Sequence, residues 1–159
     1  MVIGSEGKYY SLFLKLIFVF LFIVISIRFD FGNDYLMYQK EFTIINSKPV
    51  SGWLPGMNRL EYGWIYLNKL FSCLNFKYLI VFLSLVYCVI YYLFIKKILI
   101  ERLYLISVLF FLISPGLFLI HQSVLRQSLA LSLFILAILL VKEKLSILWS
   151  LLLIFIACF

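Results

Sequence analysis

Two uninterrupted apolar runs limit what this chain can become. Tyr10 to Ile27 carries a single charge, Lys15, and Tyr78 to Ile95 carries none. A helix on a water-soluble domain keeps a polar face. A helix that crosses a bilayer needs about 20 mostly apolar residues, within a range of roughly 17–25. The rest of the chain points the same way: 65% of residues are hydrophobic, 13% are charged and the mean hydropathy is +1.13. Soluble domains sit near 45–50% apolar and about 25% charged. A chain of 159 residues cannot hide so much apolar surface in one aqueous core. These numbers exclude a soluble globular domain, a disordered chain and a disulfide-stapled module. The expected fold class is all-α, a polytopic transmembrane helix bundle in one membrane domain, with the lipid bilayer as solvent.

Five spans are predicted, at about 10–27, 78–95, 98–114, 122–141 and 145–159, with the third starting near Ile98 or Leu103 and a long loop over 28–77. The first ends Ile-Ser-Ile-Arg-Phe-Asp, with no small-residue cleavage site, and so reads as an uncleaved anchor. Lys15 can snorkel toward its entry end. Lys96-Lys97 closes the second span. Pro115 removes a backbone donor and biases Ser114 away from helix, ending or kinking the third. Lys142-Glu143-Lys144 closes the fourth. The fifth stops at Phe159 with no polar flank, as expected of part of a longer protein.

Charge sets orientation. Fourteen Lys and Arg oppose seven Asp and Glu. The two short connections, holding Lys96, Lys97 and Arg102 and then Lys142 and Lys144, are dense in cations, whereas the long loop spreads its cations thinly. The positive-inside rule then puts the N-terminus in the cytoplasm and the 28–77 loop outside, with interfacial helices in that loop. No extended basic stripe exists, so nucleic acid is not an expected partner. Cys73, Cys88 and Cys158 form no CxxC pair, and the lone His121 cannot make a metal site by itself.

Three clusters remain on the predicted outer side. After span one comes Arg28-Phe29-Asp30-Phe31-Gly32-Asn33-Asp34-Tyr35-Leu36-Met37-Tyr38-Gln39-Lys40-Glu41. If helical, Asp30, Asp34, Tyr38 and Glu41 share one face, although Gly32-Asn33 could break the helix. Carboxylates there suit proton acceptance or sugar binding; a solvated interfacial stretch anchored by Arg28 is the plainer account. The second cluster, Asn58 to Phe71, holds Glu61. Its Trp64, Leu67 and Phe71 recur at helical spacing, which reads as an amphipathic helix at the headgroups. The third holds His121, Gln122 and Arg126. An arginine one turn inside a span is expensive. Its planar fork suits phosphate oxygens. An ion pair with Asp30, Asp34 or Glu61, or snorkelling to the headgroups, would also satisfy it. No Walker A, GxGxxG, GxSxG or HExxH pattern is present.

These segments resemble one family. Arg28 to Tyr38 is similar to the "R-x-x-x-G-x-D-Y-x-x-Y" signature that follows the first span of EpsG-family polysaccharide polymerases, relatives of the Wzy O-antigen polymerases. Glu61-Tyr62-Gly63-Trp64-Ile65-Tyr66-Leu67-Asn68 resembles their "E-x-G-[FWY]-x-x-L-[NS]" element, and Val124 to Ala130 resembles their "[IL]-R-Q-x-[IL]-A" helix start. The resemblance covers about residues 8–141 and matches the N-terminal half of the family's usual length. It implies a bacterial inner-membrane glycosyltransferase that joins undecaprenyl-pyrophosphate-linked repeat units on the outer face, making exopolysaccharide, capsule or O-antigen. Other polysaccharide-assembly membrane proteins are further partners it implies. The implied scheme has Asp30, Asp34, Glu61 or His121 in catalytic roles and Arg28, Tyr35, Tyr38, Arg126 and Gln127 on the substrate. It calls for no metal and no cofactor. A non-enzymatic membrane subunit, or a transporter of lipid-linked sugars, is the alternative.

Overall fold

The computed structural model describes residues 3–29, 34–47, 62–114 and 124–142, and these residues are helical with short connections. The elements are α1 (Ile3–Ile27), α2 (Tyr35–Ser47), α3 (Tyr62–Leu70), α4 (Phe76–Ile98), a 3-10 turn (Glu101–Leu103), α5 (Tyr104–Ile113) and α6 (Leu125–Lys142). Two helices are long and apolar enough to cross a membrane, Tyr9–Ile27 within α1 and Phe76–Ile98. At 1.5 Å per residue the 23 residues of α4 reach about 34 Å, enough for a hydrocarbon core of about 30 Å.

The α1 helix buries a single stripe, Leu14, Phe18, Leu21 and Ile25, at the i, i+4, i+7, i+11 spacing that one helix face allows. Leu12, Phe13, Leu16, Val19, Phe20 and Ile23 stay exposed on the other faces. Only 28% of that apolar window is buried. In water such an outer face would be a large aggregation-prone patch; against lipid tails it carries no penalty. The stripe packs on Tyr87, Cys88, Tyr91 and Ile95 of α4, on Tyr104, Val108 and Phe111 of α5, and on Ile135 of α6.

The α4 helix is the centre of the bundle, packing most extensively against α1 and α6. Small residues let the α4 and α6 backbones approach. Ser84 on α4 and Ser128 and Ser132 on α6 are all buried. Each satisfies itself on its own helix: Ser84 Oγ donates to the Ile80 carbonyl at 2.7 Å, Ser128 to Leu125 at 2.8 Å and Ser132 to Ser128 at 2.8 Å. Ser132, at 1% exposure, has no room for a larger side chain. Ser132→Leu is therefore expected to destabilise the bundle by about 1–3 kcal/mol, read as a lower midpoint of thermal unfolding in detergent, while Ser107→Leu, on a helix whose hydroxyl is exposed, leaves it unchanged.

The helix of the third predicted span starts at the later of its two expected points, next to Leu103. Helix α4 runs on to Ile98, Leu99 is extended at φ −102° and ψ 155°, and only Tyr104–Ile113 is α-helical. Ten residues make about 15 Å, half a hydrocarbon core. Its end behaves as the following proline dictates, with Ser114 extended at φ −75° and ψ 105°. The fourth helix begins at Leu125, with the Val124 carbonyl accepting from Ser128 N–H at 3.0 Å. Arg126 thus stands in the first turn, at a helix end, and not one turn inside. The fifth predicted span, 145–159, lies outside the described residues.

Candidate functional site at one end of the bundle

A second cluster gathers at the end of the bundle where α1 stops and α4 and α6 start. Tyr35, Tyr38, Phe42 and Ile45 of α2 meet Trp64 and Ile65 of α3, Phe76, Leu79, Ile80 and Leu83 of α4, and Leu125 of α6. The short helices α2 and α3 pack on each other and close over this end. The segments that carry the three sequence motifs are therefore brought to one place, through contacts between residues far apart in the chain.

Tyr38 is the hinge of that arrangement. It is 1% exposed. Its ring meets Trp64 edge to face at 5.5 Å, and the Arg126 guanidinium lies 5.7 Å from the ring centroid, within the range of a cation–π contact. Burial pushes the Tyr38 phenol above its ordinary value, hydrogen bonding and charge from Arg126 pull it back, and Asp34 adds to the upward push. The phenol thus stays protonated at physiological pH, fit to hold a partner rather than to act as a base. Arg126 itself is half-buried and Gln127, next to it, is exposed. First-turn N–H groups of a helix have no intrahelical partner and carry the positive end of its dipole. A guanidinium beside them makes this end of α6 favourable for an anion.

Arg28 follows the last turn of α1 and is half-buried. Burial lowers its pKa to about 10, opposed by Tyr35, so it is still charged at neutral pH. Tyr35 in turn meets Phe29 at 5.9 Å and Phe76 at 5.6 Å, both edge to face.

The acidic candidates divide. Asp34 is half-buried immediately before α2, and its carbonyl accepts from Tyr38 N–H at 3.0 Å, opening the helical ladder. Glu41, one turn beyond Tyr38, accepts from Trp64 Nε1 at 3.3 Å and ties α2 to α3. Asp30, Glu61, His121 and Gln122 lie outside the described residues. Among the described residues, no three His, Cys, Asp or Glu side chains cluster closely enough to hold a metal ion.

The Trp64, Leu67, Phe71 stripe turns inward: Trp64 is buried, and Leu67 and Phe71 pack against the same cluster. Ile65 and Asn68 of α3 are buried too, and Tyr62, Tyr66 and Leu70 are exposed. Asn68 is 0% exposed, and its Nδ2 donates to the Trp64 carbonyl at 2.7 Å. Asn68 is a supporting residue of the site that spacing alone did not single out. The sequence signal was available in Asn68 itself, the last residue of the second motif.

A helical bundle with two arginines, a buried tyrosine and an acidic residue gathered at one end defines the class: a membrane protein with a polar site at the mouth of its helices. The chain belongs to the EpsG family, whose model matches residues 11–159. The match runs past the three motifs and through the last predicted span. No curated protein and no solved structure matches the chain. Family membership implies a membrane polysaccharide polymerase-type role in polysaccharide biosynthesis.

Proposed function

We infer that the chain joins undecaprenyl-pyrophosphate-linked oligosaccharide repeat units on the outer face of a bacterial cytoplasmic membrane, building an exopolysaccharide, capsule or O-antigen. The observation that carries this reading is the contact of Arg126, in the first turn of α6, with Tyr38 of the signature helix. The glycosyl carbon breaks its bond to the pyrophosphate oxygen and forms one to a hydroxyl of the next unit. The hydroxyl proton passes to a carboxylate, and the pyrophosphate leaves on its polyprenol. Negative charge accumulates on the departing pyrophosphate, so fixed cations there lower the barrier. Arg126 takes that role with Gln127 beside it, and Arg28 assists. Tyr35 and Tyr38 hold the two arginines in place. Asp34 is the base candidate among the described residues, with Asp30, Glu61 and His121 as the others.

This reading has a cytoplasmic N-terminus and the 28–77 loop outside. Native Cys73 tests the orientation, because it is a free, exposed thiol between α3 and α4 while Cys88 is buried. An impermeant maleimide should label intact cells carrying the wild-type chain, and Cys73→Ser should lose that label. Labelling of Cys73 only after lysis would place the site in the cytoplasm and end the lipid-linked scheme.

Arg28 offers a second test. The burial that lowers Arg28 to about 10 would lower a lysine there too, and lysine starts lower, near 10.4. A buried cation loses its proton as pH rises, so Arg28→Lys should form polymer at external pH 6.5 and lose it as the medium is made alkaline. Wild-type output should stay flat over that range. A flat profile in both would remove the Arg28 charge from the reaction.

A further inference from the structure

We propose that a cleft on the flank of α2 away from Arg126 is a saccharide subsite, holding one or two sugar rings of the lipid-linked repeat unit. The assignment rests on the polymerase reading and deepens it. The cleft has a volume of about 320 Å³, at the lower end of the roughly 300–1,000 Å³ of small-molecule sites. Its floor is the buried aromatic trio Tyr35, Phe42 and Phe76, and its exposed rim is mostly polar, with Gln39, Thr43, Asn75 and Lys77 beside Leu74.

That mixture matches a pyranose ring, which has apolar C–H faces and a rim of hydroxyls that both donate and accept. Tyr35 meets Phe76 at 5.6 Å and Phe29 at 5.9 Å, both edge to face. Phe29 also lines the cleft and is 80% exposed. The amides of Gln39 and Asn75 each supply donors and an acceptor. A polyprenyl tail would call for an apolar wall without that rim. A phosphate would call for paired cations, and the cleft holds one, Lys77.

Asn75 supplies a separate observation. It is the N-cap of α4, at φ −78° and ψ 154°, and asparagine is among the best capping residues, yet its side chain makes no capping hydrogen bond. Its backbone carbonyl opens the helix instead, accepting from Tyr78 N–H at 2.9 Å. Asn75 lines the cleft. Helix geometry sets two directions on α2. Gln39 and Thr43 turn to the cleft over Tyr35 and Phe42, and Tyr38, about a quarter of a turn from the middle of that set, turns to Arg126. Sugar and phosphate would be held on adjacent flanks of one short helix.

The test is a pair of titrations on the purified chain in detergent. One probe is oligosaccharide cut from the surface polymer of the producing cells; the other is undecaprenyl phosphate. The paired substitution Gln39→Ala, Asn75→Ala should weaken the oligosaccharide at least tenfold and leave undecaprenyl phosphate affinity and the unfolding temperature unchanged, since both side chains are exposed. Undiminished oligosaccharide binding in that variant, or none in the wild type, overturns the subsite. Arg126→Ala is the separating arm. If it abolishes undecaprenyl phosphate binding while the cleft variant changes nothing, the subsite falls and the polymerase reading stands. If undecaprenyl phosphate is indifferent to Arg126, the polymerase reading fails, and the subsite that rests on it fails too.

Discussion

Arg126→Ala should abolish polymer formation while the chain still reaches the membrane at the wild-type level. Removing one group that stabilises charge developing in a transition state costs roughly 100- to 1,000-fold in rate, and a polymer grown over many transfers magnifies any loss per step. The helix around Arg126 does not depend on its side chain. Leu125 beside it is buried in the α2–α3–α4 cluster, and Ser128 and Ser132 seat the helix against α4. Insertion, measured by quantitative blotting of membranes, should therefore hold. Arg126→Lys should recover a minor fraction of polymer, because an ammonium keeps the charge and loses the two-pronged geometry that matches phosphate oxygens. Polymer of wild-type length and yield from the alanine variant would remove Arg126 from the reaction.

Tyr38 should separate two roles, packing and tuning. Tyr38→Ala empties a site at 1% exposure between Trp64 and Arg126, and losing a buried aromatic ring costs about 3–5 kcal/mol. The expected results are a clearly lowered unfolding temperature in detergent and no polymer. Tyr38→Phe keeps the ring against Trp64 and removes only the phenol oxygen that hydrogen-bonds Arg126. A typical hydrogen bond contributes about 0.5–1.5 kcal/mol, rising to about 1.5–3 when one partner is charged. Polymer yield should fall roughly tenfold at nearly unchanged stability, since about 1.4 kcal/mol corresponds to one factor of ten in rate. Equal effects from both variants would mean that Tyr38 acts only as a core residue.

How much of this was legible before the structure depends on whether the signal was local. The cores of α1 and α4 were, because two long apolar runs between charges have few other uses. The extended conformation of Ser114 was, because Pro115 imposes it on its neighbour. The break after α4 was legible to within a few residues, because Lys96-Lys97 marks it. Its place at Leu99 was not, because Leu99 and Ile100 continue the apolar pattern. Arg126 was expected one turn into a helix from Gln122, and α6 starts at Leu125, because an apolar pattern does not mark the first turn of a helix. The inward stripe of Trp64 was legible, and its cover was not. An aromatic stripe with nearby cations looks the same whether a headgroup layer or another helix covers it, and here Tyr38 and Glu41 of α2 provide the cover. The pairing of Tyr38 with Arg126 is a contact between distant segments. Spacing is silent about it, although both residues lie in motifs that the family resemblance had marked.

The central claim is that the α2–α6 end of the bundle recognises a pyrophosphate carried on a polyprenol. The direct measurement is the affinity of the purified chain, in detergent, for undecaprenyl pyrophosphate and for undecaprenol, which share the tail and differ only in the charged head. The expected result is a preference of at least a hundredfold for the pyrophosphate, about 2.7 kcal/mol, that collapses in Arg126→Ala. Equal affinity for the two lipids in the wild-type chain would contradict the account.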